Sequence, residues 1–175
     1  RDVKPDNFLC FGPRATVKLC DFGLATTFFG QGTVGICGTP PYMSPEMLRH
    51  LYYDGRTDVW SLGVIVYALL LGEFPYMPTE GTSASVKAAI AGGKRLPTFR
   101  PMSKLQDVGL PGPSPAASAF LRATLSRKPR DRPTAKTALA SDFLIDRPTT
   151  TASLQEAFAQ MLAQQQAQMV EIITG

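Results

Sequence analysis

Residues 57–71 set the architecture of this chain, because their apolar side chains would cover every side of a helix. A helix that is apolar all round is buried on most of its sides, so it needs other elements packed around it. Thr57 or Asp58 is the predicted cap of this helix, and Gly72 is the predicted stop. The apolar positions are Val59, Trp60, Leu62, Val64, Ile65, Val66, Leu69 and Leu70.

Shorter patterns surround this helix. Residues 8–11 and 16–20 flank Gly12 and Pro13 and predict two strands of a hairpin. Residues 24–43 are rich in Gly and Thr without a period and predict a long loop, which in a compact domain usually has a function. Further helices are predicted at 83–91, at 114–125, from Thr134 to Ala140, and after Ser44 and Pro45 as N-cap and first position. A proline-rich linker is predicted at 97–115.

The composition fits one soluble domain, with 44% hydrophobic and 18% charged residues. Its basic residues are scattered, so nucleic-acid binding is not expected. The spacing of the three cysteines fits neither a metal site nor a disulfide framework; they are Cys10, Cys20 and Cys37. This favours a reducing compartment and predicts a cytoplasmic protein, with the nucleus as the alternative location. The run Leu62 to Leu71 is too short to span a bilayer, so no membrane association is expected.

Residues 148–175 differ in composition from residues 1–147, because Gln and Ala increase while Lys and Arg are absent. Ser153 and Glu156 fit a capping box, and Leu154, Phe158 and Met161 follow at helical spacing. The segment predicts a peripheral helical tail, with a dimerisation or regulatory helix as the alternative. Calmodulin binding is not expected, because such target helices are basic.

Four side chains near the start of the chain suit phosphoryl transfer. Asp2, Lys4 and Asn7 share one short loop, and Asp21 lies just beyond the hairpin that brings the two loops side by side. Transfer from ATP needs a carboxylate to orient the accepting hydroxyl, a cation near the γ-phosphate and oxygen ligands for Mg²⁺. The set therefore predicts a site for ATP and Mg²⁺.

A longer ordered set of motifs resembles the C-terminal lobe of eukaryotic Ser/Thr protein kinases over residues 1–147. The motifs are Arg1-Asp2-Val3-Lys4-Pro5-Asp6-Asn7, Asp21-Phe22-Gly23, Gly38-Thr39-Pro40-Pro41-Tyr42, Ser44-Pro45-Glu46, Asp58-Val59-Trp60-Ser61-Leu62-Gly63 and Arg130-Asp131-Arg132-Pro133-Thr134. Ser44 departs from the family, which usually has Ala there. The resemblance implies a mainly α lobe with one small hairpin, and phosphorylation of protein substrates.

The resemblance also implies individual roles. Asp2 would be the catalytic base, and Lys4 would contact the γ-phosphate and, with Thr39, mark a Ser/Thr enzyme. Asn7 and Asp21 would bind Mg²⁺.

Other implied roles lie around this centre. Leu9 would form the floor of the adenine pocket. Arg1 would meet a phosphate or acid on the loop. Asp6 would meet a substrate Arg, or is a solvated acid, and Leu24 would favour Ser over Thr.

Three structural residues complete the implied set. Glu46 would pair with Arg132, which could instead be an ordinary surface pair. Asp58 would hold the catalytic-loop backbone, or is only a helix cap.

The overall pattern is nearest to the calcium/calmodulin-dependent kinase group. Thr33 is the nearest candidate phosphosite, yet we expect the loop to be ordered without phosphate. The N-terminal lobe is absent from these residues and is expected upstream, so the chain alone is expected to be inactive. The alternatives are a non-catalytic, pseudokinase-like interaction module and a truncated remnant.

Overall fold

A computed structural model describes residues 1–12, 16–27, 30, 32–94, 96–100 and 112–145. Most of the predicted linker 97–115 and the whole tail 148–175 lie outside the described residues. The strands are β1 (Phe8–Phe11) and β2 (Thr16–Leu19), and the helices are α1 (Pro45–Leu48), α2 (Arg56–Leu71), α3 (Ser83–Gly92), α4 (Pro115–Thr124), α5 (Ala135–Leu139) and α6 (Asp142–Ile145). The mainly helical architecture with one hairpin is therefore confirmed for this part of the chain.

The hairpin brings the two polar loops together. β1 and β2 are antiparallel, with Phe8 opposite Leu19 and Phe11 opposite Thr16. The ladder continues past Phe8, because the backbone N–H of Cys20 donates to the carbonyl of Asn7 at 2.8 Å. Asn7 therefore lies across the hairpin from the residue that precedes Asp21.

Helix α2 is the centre of the core, as its apolar pattern predicts. Trp60, Val64 and Leu71 are fully buried, and the indole of Trp60 stacks on Tyr76 with ring centroids 5.8 Å apart. Helices α3 and α4 contribute Ile90 and Leu121 to the same cluster. None of the helices in the described part of the chain is long and apolar enough to cross a membrane.

The predicted cap of α2 is wrong, because the helix begins at Arg56, before both Thr57 and Asp58. The Oδ1 of Asp54 accepts from the backbone N–H of Arg56 at 2.9 Å and so serves the first turn. Thr57 and Asp58 lie inside that turn, and their side chains contact other parts of the chain.

The remaining helix starts agree closely with the sequence. The hydroxyl of Ser114 accepts from the N–H of Ala117, and that of Thr134 accepts from Thr137, both at 3.1 Å. Helix α3 extends one residue beyond its predicted end and stops at Gly93, whose φ of 61° is left-handed. Ser44 is the N-cap residue of α1, but its side chain makes no capping bond there.

Candidate active site

Asp2, Lys4 and Thr39 form a closed triangle of polar contacts. The Thr39 hydroxyl donates to Oδ1 of Asp2 at 2.8 Å, and the Lys4 ammonium donates to that hydroxyl, also at 2.8 Å. The same ammonium lies 3.0 Å from Oδ2 of Asp2. The structure therefore joins three residues that the sequence separates by up to 37 positions.

This triangle determines the ionisation of Asp2. Partial burial by itself would raise the pKa of the carboxyl group, but the hydrogen bonds from Thr39 and Lys4 and the Lys4 charge hold that pKa below its usual value. Asp2 is consequently a carboxylate at neutral pH, ready to accept a hydrogen bond from a further hydroxyl.

Asn7 is held so that its amide oxygen can act as a ligand. Its Nδ2 donates to the backbone carbonyl of Asp2 at 2.8 Å, and the side chain is buried. Across the hairpin, Oδ1 of Asp21 accepts from the N–H of Gly23 at 3.1 Å, and Asp21 has a left-handed φ of 56°. An amide oxygen and a carboxylate are hard donors of the kind that Mg²⁺ takes alongside phosphate and water, so this pair fits the ion.

Gly38 allows the long loop to approach the loop of residues 1–7. Its φ is +96°, and a Cβ at this position would lie 2.6 Å from the carbonyl oxygen of Arg1. Any side chain at position 38 would therefore collide with backbone, and the neighbouring Thr39 could not keep its contact with Asp2.

The first two turns of α2 contact both loops. Oδ1 of Asp58 lies 3.2 Å from the backbone nitrogen of Arg1, and the Ser61 hydroxyl donates to the carbonyl of Tyr42 at 2.8 Å. Asp58 therefore lies against the first residue of the loop 1–7, and its role in holding the backbone of that loop stays a prediction. Ser61 adds a second contact, to the 3₁₀ turn Pro40–Tyr42 that follows Thr39.

Glu46 and Arg132 form a buried ion pair. Two guanidinium nitrogens of Arg132 donate to the two carboxylate oxygens at 2.6 and 2.7 Å, and both residues are at most 3% exposed. Burial by itself would raise the pKa of Glu46, but the bonds and charge of Arg132 hold it below its usual value. The pair is therefore not the surface pair of the alternative interpretation.

Arg1 and the long loop meet at Tyr53, which sequence analysis did not single out. The Tyr53 hydroxyl donates to the carbonyl of Gly35 at 2.9 Å, and the Arg1 guanidinium lies 3.4 Å from that hydroxyl. Thr33 and Tyr53 also exchange two backbone hydrogen bonds of 2.9 Å. A Tyr that follows a predicted helix carries no recognisable signal, because its partners lie far away in the sequence.

The remaining predicted residues lie at the edge of this site. Leu9 on β1 is 45% exposed and Leu24 is 39% exposed. The Leu24 carbonyl accepts from the Arg1 guanidinium at 2.8 Å. Asp6 is exposed in the 3₁₀ turn Pro5–Asn7 and is not joined to the triangle by any hydrogen bond recorded among the described residues.

Comparisons with known proteins point to one family. A family model described as the protein kinase domain matches residues 1–144. The chain is 32% identical over 149 residues to mitogen-activated protein kinase kinase 1 of Arabidopsis thaliana, covering 82% of this chain and 40% of that protein. It is 36% identical over 142 residues to MAP kinase kinase PBS2 of Saccharomyces cerevisiae, covering 77% of this chain and 20% of that protein.

A third relative has a different name. The chain is 42% identical over 101 residues to serine/threonine-protein kinase zyg-8 of Caenorhabditis elegans, covering 54% of this chain and 12% of that protein. The chain thus spans two fifths or less of the length of these relatives. The names do not single out the calcium/calmodulin-dependent group.

Proposed function

The chain belongs to the protein kinase domain family, and from this membership we propose that its protein transfers the γ-phosphate of ATP to Ser and Thr hydroxyls of protein substrates. The observation that carries the proposal is the triangle of Asp2, Lys4 and Thr39, because it combines an ionised acceptor with a fixed cation. The names of relatives as MAP kinase kinases and a serine/threonine-protein kinase support the same reaction class.

Each residue of the triangle has a defined task in this reaction. The substrate hydroxyl donates to the Asp2 carboxylate, which receives the proton as the new oxygen–phosphorus bond forms and the bond to the departing ADP breaks. Lys4 balances the negative charge of the phosphoryl group during transfer. Thr39 bonds to both Asp2 and Lys4 and so keeps these two side chains in the orientation that the reaction needs.

Asn7 and Asp21 are the residues that would hold Mg²⁺. Asn7 pairs across the hairpin with the residue before Asp21, and the side chains of Asn7 and Asp21 are oriented by the Asp2 carbonyl and by the Gly23 N–H, respectively. A Mg²⁺ ion held there would offset the negative charge of the phosphate groups during transfer.

A second lobe would complete the ATP site. Leu9, Phe11, Val17 and Leu19 of the hairpin are 42–54% exposed, and Phe22 beside them is 64% exposed. By the register of the hairpin, Leu9 and Phe11 lie on one face and Val17 and Leu19 on the other, so both faces expose apolar side chains, which is typical of surfaces that another part of a protein covers. An antibody against residues 148–175 tests this lobe: a band well above 18.9 kDa on a denaturing gel is expected, and a band at that mass would contradict it.

The long loop is also proposed to be ordered in the unphosphorylated protein. Its support is the Tyr53 hydroxyl and backbone, which contact Gly35, Thr33 and the Arg1 guanidinium, a group that could otherwise pair with a phosphate. Thr33→Ala in the complete protein should keep full activity. A large loss of activity in that variant would refute phosphate-independent order.

Substrate preference follows from Asp6 and Leu24. We expect a modest preference for Arg upstream of the phosphoacceptor, because Asp6 is exposed and the larger acidic cluster of strongly basophilic kinases would need an acid where Ala68 stands. Leu24 supports Ser over Thr by family resemblance. A peptide array tests both preferences, and the variant Asp6→Asn should lose the preference for Arg.

The decisive experiment measures MgATP-dependent phosphorylation by the complete purified protein. Transfer to Ser and Thr peptides but not to Tyr peptides is expected, together with its loss in Asp2→Asn and in Asp21→Asn. No transfer by the wild type, or full transfer by either variant, would overturn the proposal. Nucleotide binding without transfer would instead favour a non-catalytic interaction module.

A further inference from the structure

Ser44 departs from the usual Ala of the family motif, and its hydroxyl has a specific partner. Ser44 is fully buried, and its Oγ lies 2.5 Å from Oγ1 of Thr57, which is 3% exposed. Thr57 Oγ1 lies in turn 3.2 Å from Oε1 of Glu46. A buried hydroxyl group costs free energy unless it is hydrogen-bonded. In this arrangement the hydroxyls of Ser44 and Thr57 are both hydrogen-bonded.

The direction of these hydrogen bonds follows from the charge on Glu46. Glu46 is ionised beside Arg132, and a carboxylate can only accept. Thr57 has one hydroxyl proton, and its bond to Glu46 uses that proton. The bond between the two hydroxyls must then be donated by Ser44, which gives a donor chain from Ser44 through Thr57 to the carboxylate.

This chain links the end of the long loop to the central helix. Ser44 precedes α1, and Thr57 lies in the first turn of α2, next to the Asp58 that contacts Arg1. Arg132 donates to the same Oε1 of Glu46 at 2.6 Å. A hydrogen bond to a charged group stabilises more than one between neutral groups, so the donors of Thr57 and Arg132 together restrict the carboxylate strongly.

We propose that the hydroxyls of Ser44 and Thr57 act as positioning groups for the reaction, by fixing Glu46 and with it the segment 39–46 against α2. This role rests on the proposed kinase function, since its benefit is the placement of Thr39 beside Asp2. Neither hydroxyl contacts the triangle, so both act through Glu46 and the backbone between them.

The test compares variants of the complete protein by hydrogen exchange of the amides in residues 39–48 and by kcat and KM. Thr57→Val and Ser44→Ala remove one hydroxyl each, and Thr57→Ser keeps the hydroxyl. Thr124→Val is the matched control, because Thr124 is equally buried and donates to the Phe120 carbonyl within α4, away from Glu46.

Thr57→Val should speed exchange in residues 39–48 by about tenfold or more, the factor expected for one lost hydrogen bond to a charged group. It should lower kcat more than it raises KM for ATP. Thr57→Ser should restore both quantities, and Thr124→Val should leave exchange in this segment unchanged. Because Ser44 acts through Thr57, Ser44→Ala should add little in the Thr57→Val background.

Three results would overturn the proposal: equal exchange in Thr57→Val and Thr124→Val, no difference between Thr57→Ser and Thr57→Val, or full additivity of the Ser44 and Thr57 variants. Hydrogen exchange needs neither ATP nor substrate. The predicted exchange pattern in a protein that transfers no phosphate would therefore refute the kinase function while leaving the role of the hydroxyls in holding Glu46 intact.

Discussion

The carboxylate of Glu46 and the guanidinium of Arg132 lie 86 residues apart in the chain, yet they form two hydrogen bonds inside the fold. Arg132 also donates to the carbonyl of Ser126 at 2.7 Å and lies over the Trp60 ring. One ion pair therefore connects the end of the long loop, the core of α2 and the segment after α4.

Glu46→Gln should destabilise the fold strongly. Removing one partner of a buried pair leaves the other charge uncompensated, at a cost of about 3–5 kcal/mol. Urea unfolding of the complete protein measures the change. Asp54→Asn is the control, since its pair with Arg56 is partly exposed and should contribute about 1 kcal/mol or less. Equal losses in the two variants would contradict the buried character of the pair.

The same ion pair makes stability depend on pH. The pKa of Glu46 is lower in the folded state than its usual value, so its contribution is fully present above the usual glutamate pKa and is lost as pH falls through the lower, folded-state pKa. Unfolding measured from neutral to acid pH should therefore show a decline that is shallower in Glu46→Gln. A wild-type stability that is flat throughout this acid range would contradict the assignment.

Thr39→Val should impair the reaction without unfolding the protein. The loss of its bond to the Asp2 carboxylate should lower kcat by about tenfold or more. It should also raise the pKa of Asp2, so the acid limb of the pH–rate profile should move to higher pH. Thr39→Ser keeps a hydroxyl and should retain most activity. An unshifted acid limb in Thr39→Val would argue that the bond is absent during the proposed reaction.

Tyr53→Phe should loosen the long loop, because it removes the hydroxyl that donates to Gly35 and faces Arg1. The expected loss is about 1 kcal/mol of local stability, seen as faster exchange of the amides at 33–37. Tyr52→Phe is the matched control, since Tyr52 is the next residue and is 63% exposed. If both variants exchange alike, the loop is held by backbone bonds alone.

Gly38→Ala should separate steric collision from backbone strain when it is compared with Gly35→Ala. Both glycines have a positive φ, but a Cβ at Gly35 would meet nothing within 4 Å, whereas one at Gly38 would meet the Arg1 carbonyl. Activity should therefore fall much further in Gly38→Ala. Similar activity in the two variants would indicate that only the backbone angle matters.

Much of the fold and of the site could be predicted from the sequence, because the relevant signals are local. The apolar pattern of α2, the hairpin around Gly12 and the order of the short motifs depend on neighbours in the chain. The start of α2 could not be predicted, because Thr57 and Asp58 are typical capping residues whose side chains bind Glu46 and Arg1 instead.

Contacts between distant residues account for what the sequence did not reveal. The polar partners of Tyr53 and the destination of the Ser44 hydroxyl depend on how α1, α2 and the long loop pack. A hydroxyl at position 44 could be recognised as unusual for the family, but its partner Thr57 becomes evident only once helix α2 is placed against it.

The first two turns of α2 fix the distance between the segments that contact them, which a loop could not do. Thr57, Asp58 and Ser61 lie within about one helical turn and contact, respectively, Glu46, Arg1 and Tyr42. Helical rise is among the least variable distances in a protein, whereas loop lengths change readily. The distance between the loop of residues 1–7 and the end of the long loop is thus fixed by the rise of the helix. Residues inserted at 24–36 would change what the long loop reaches and would leave that distance the same.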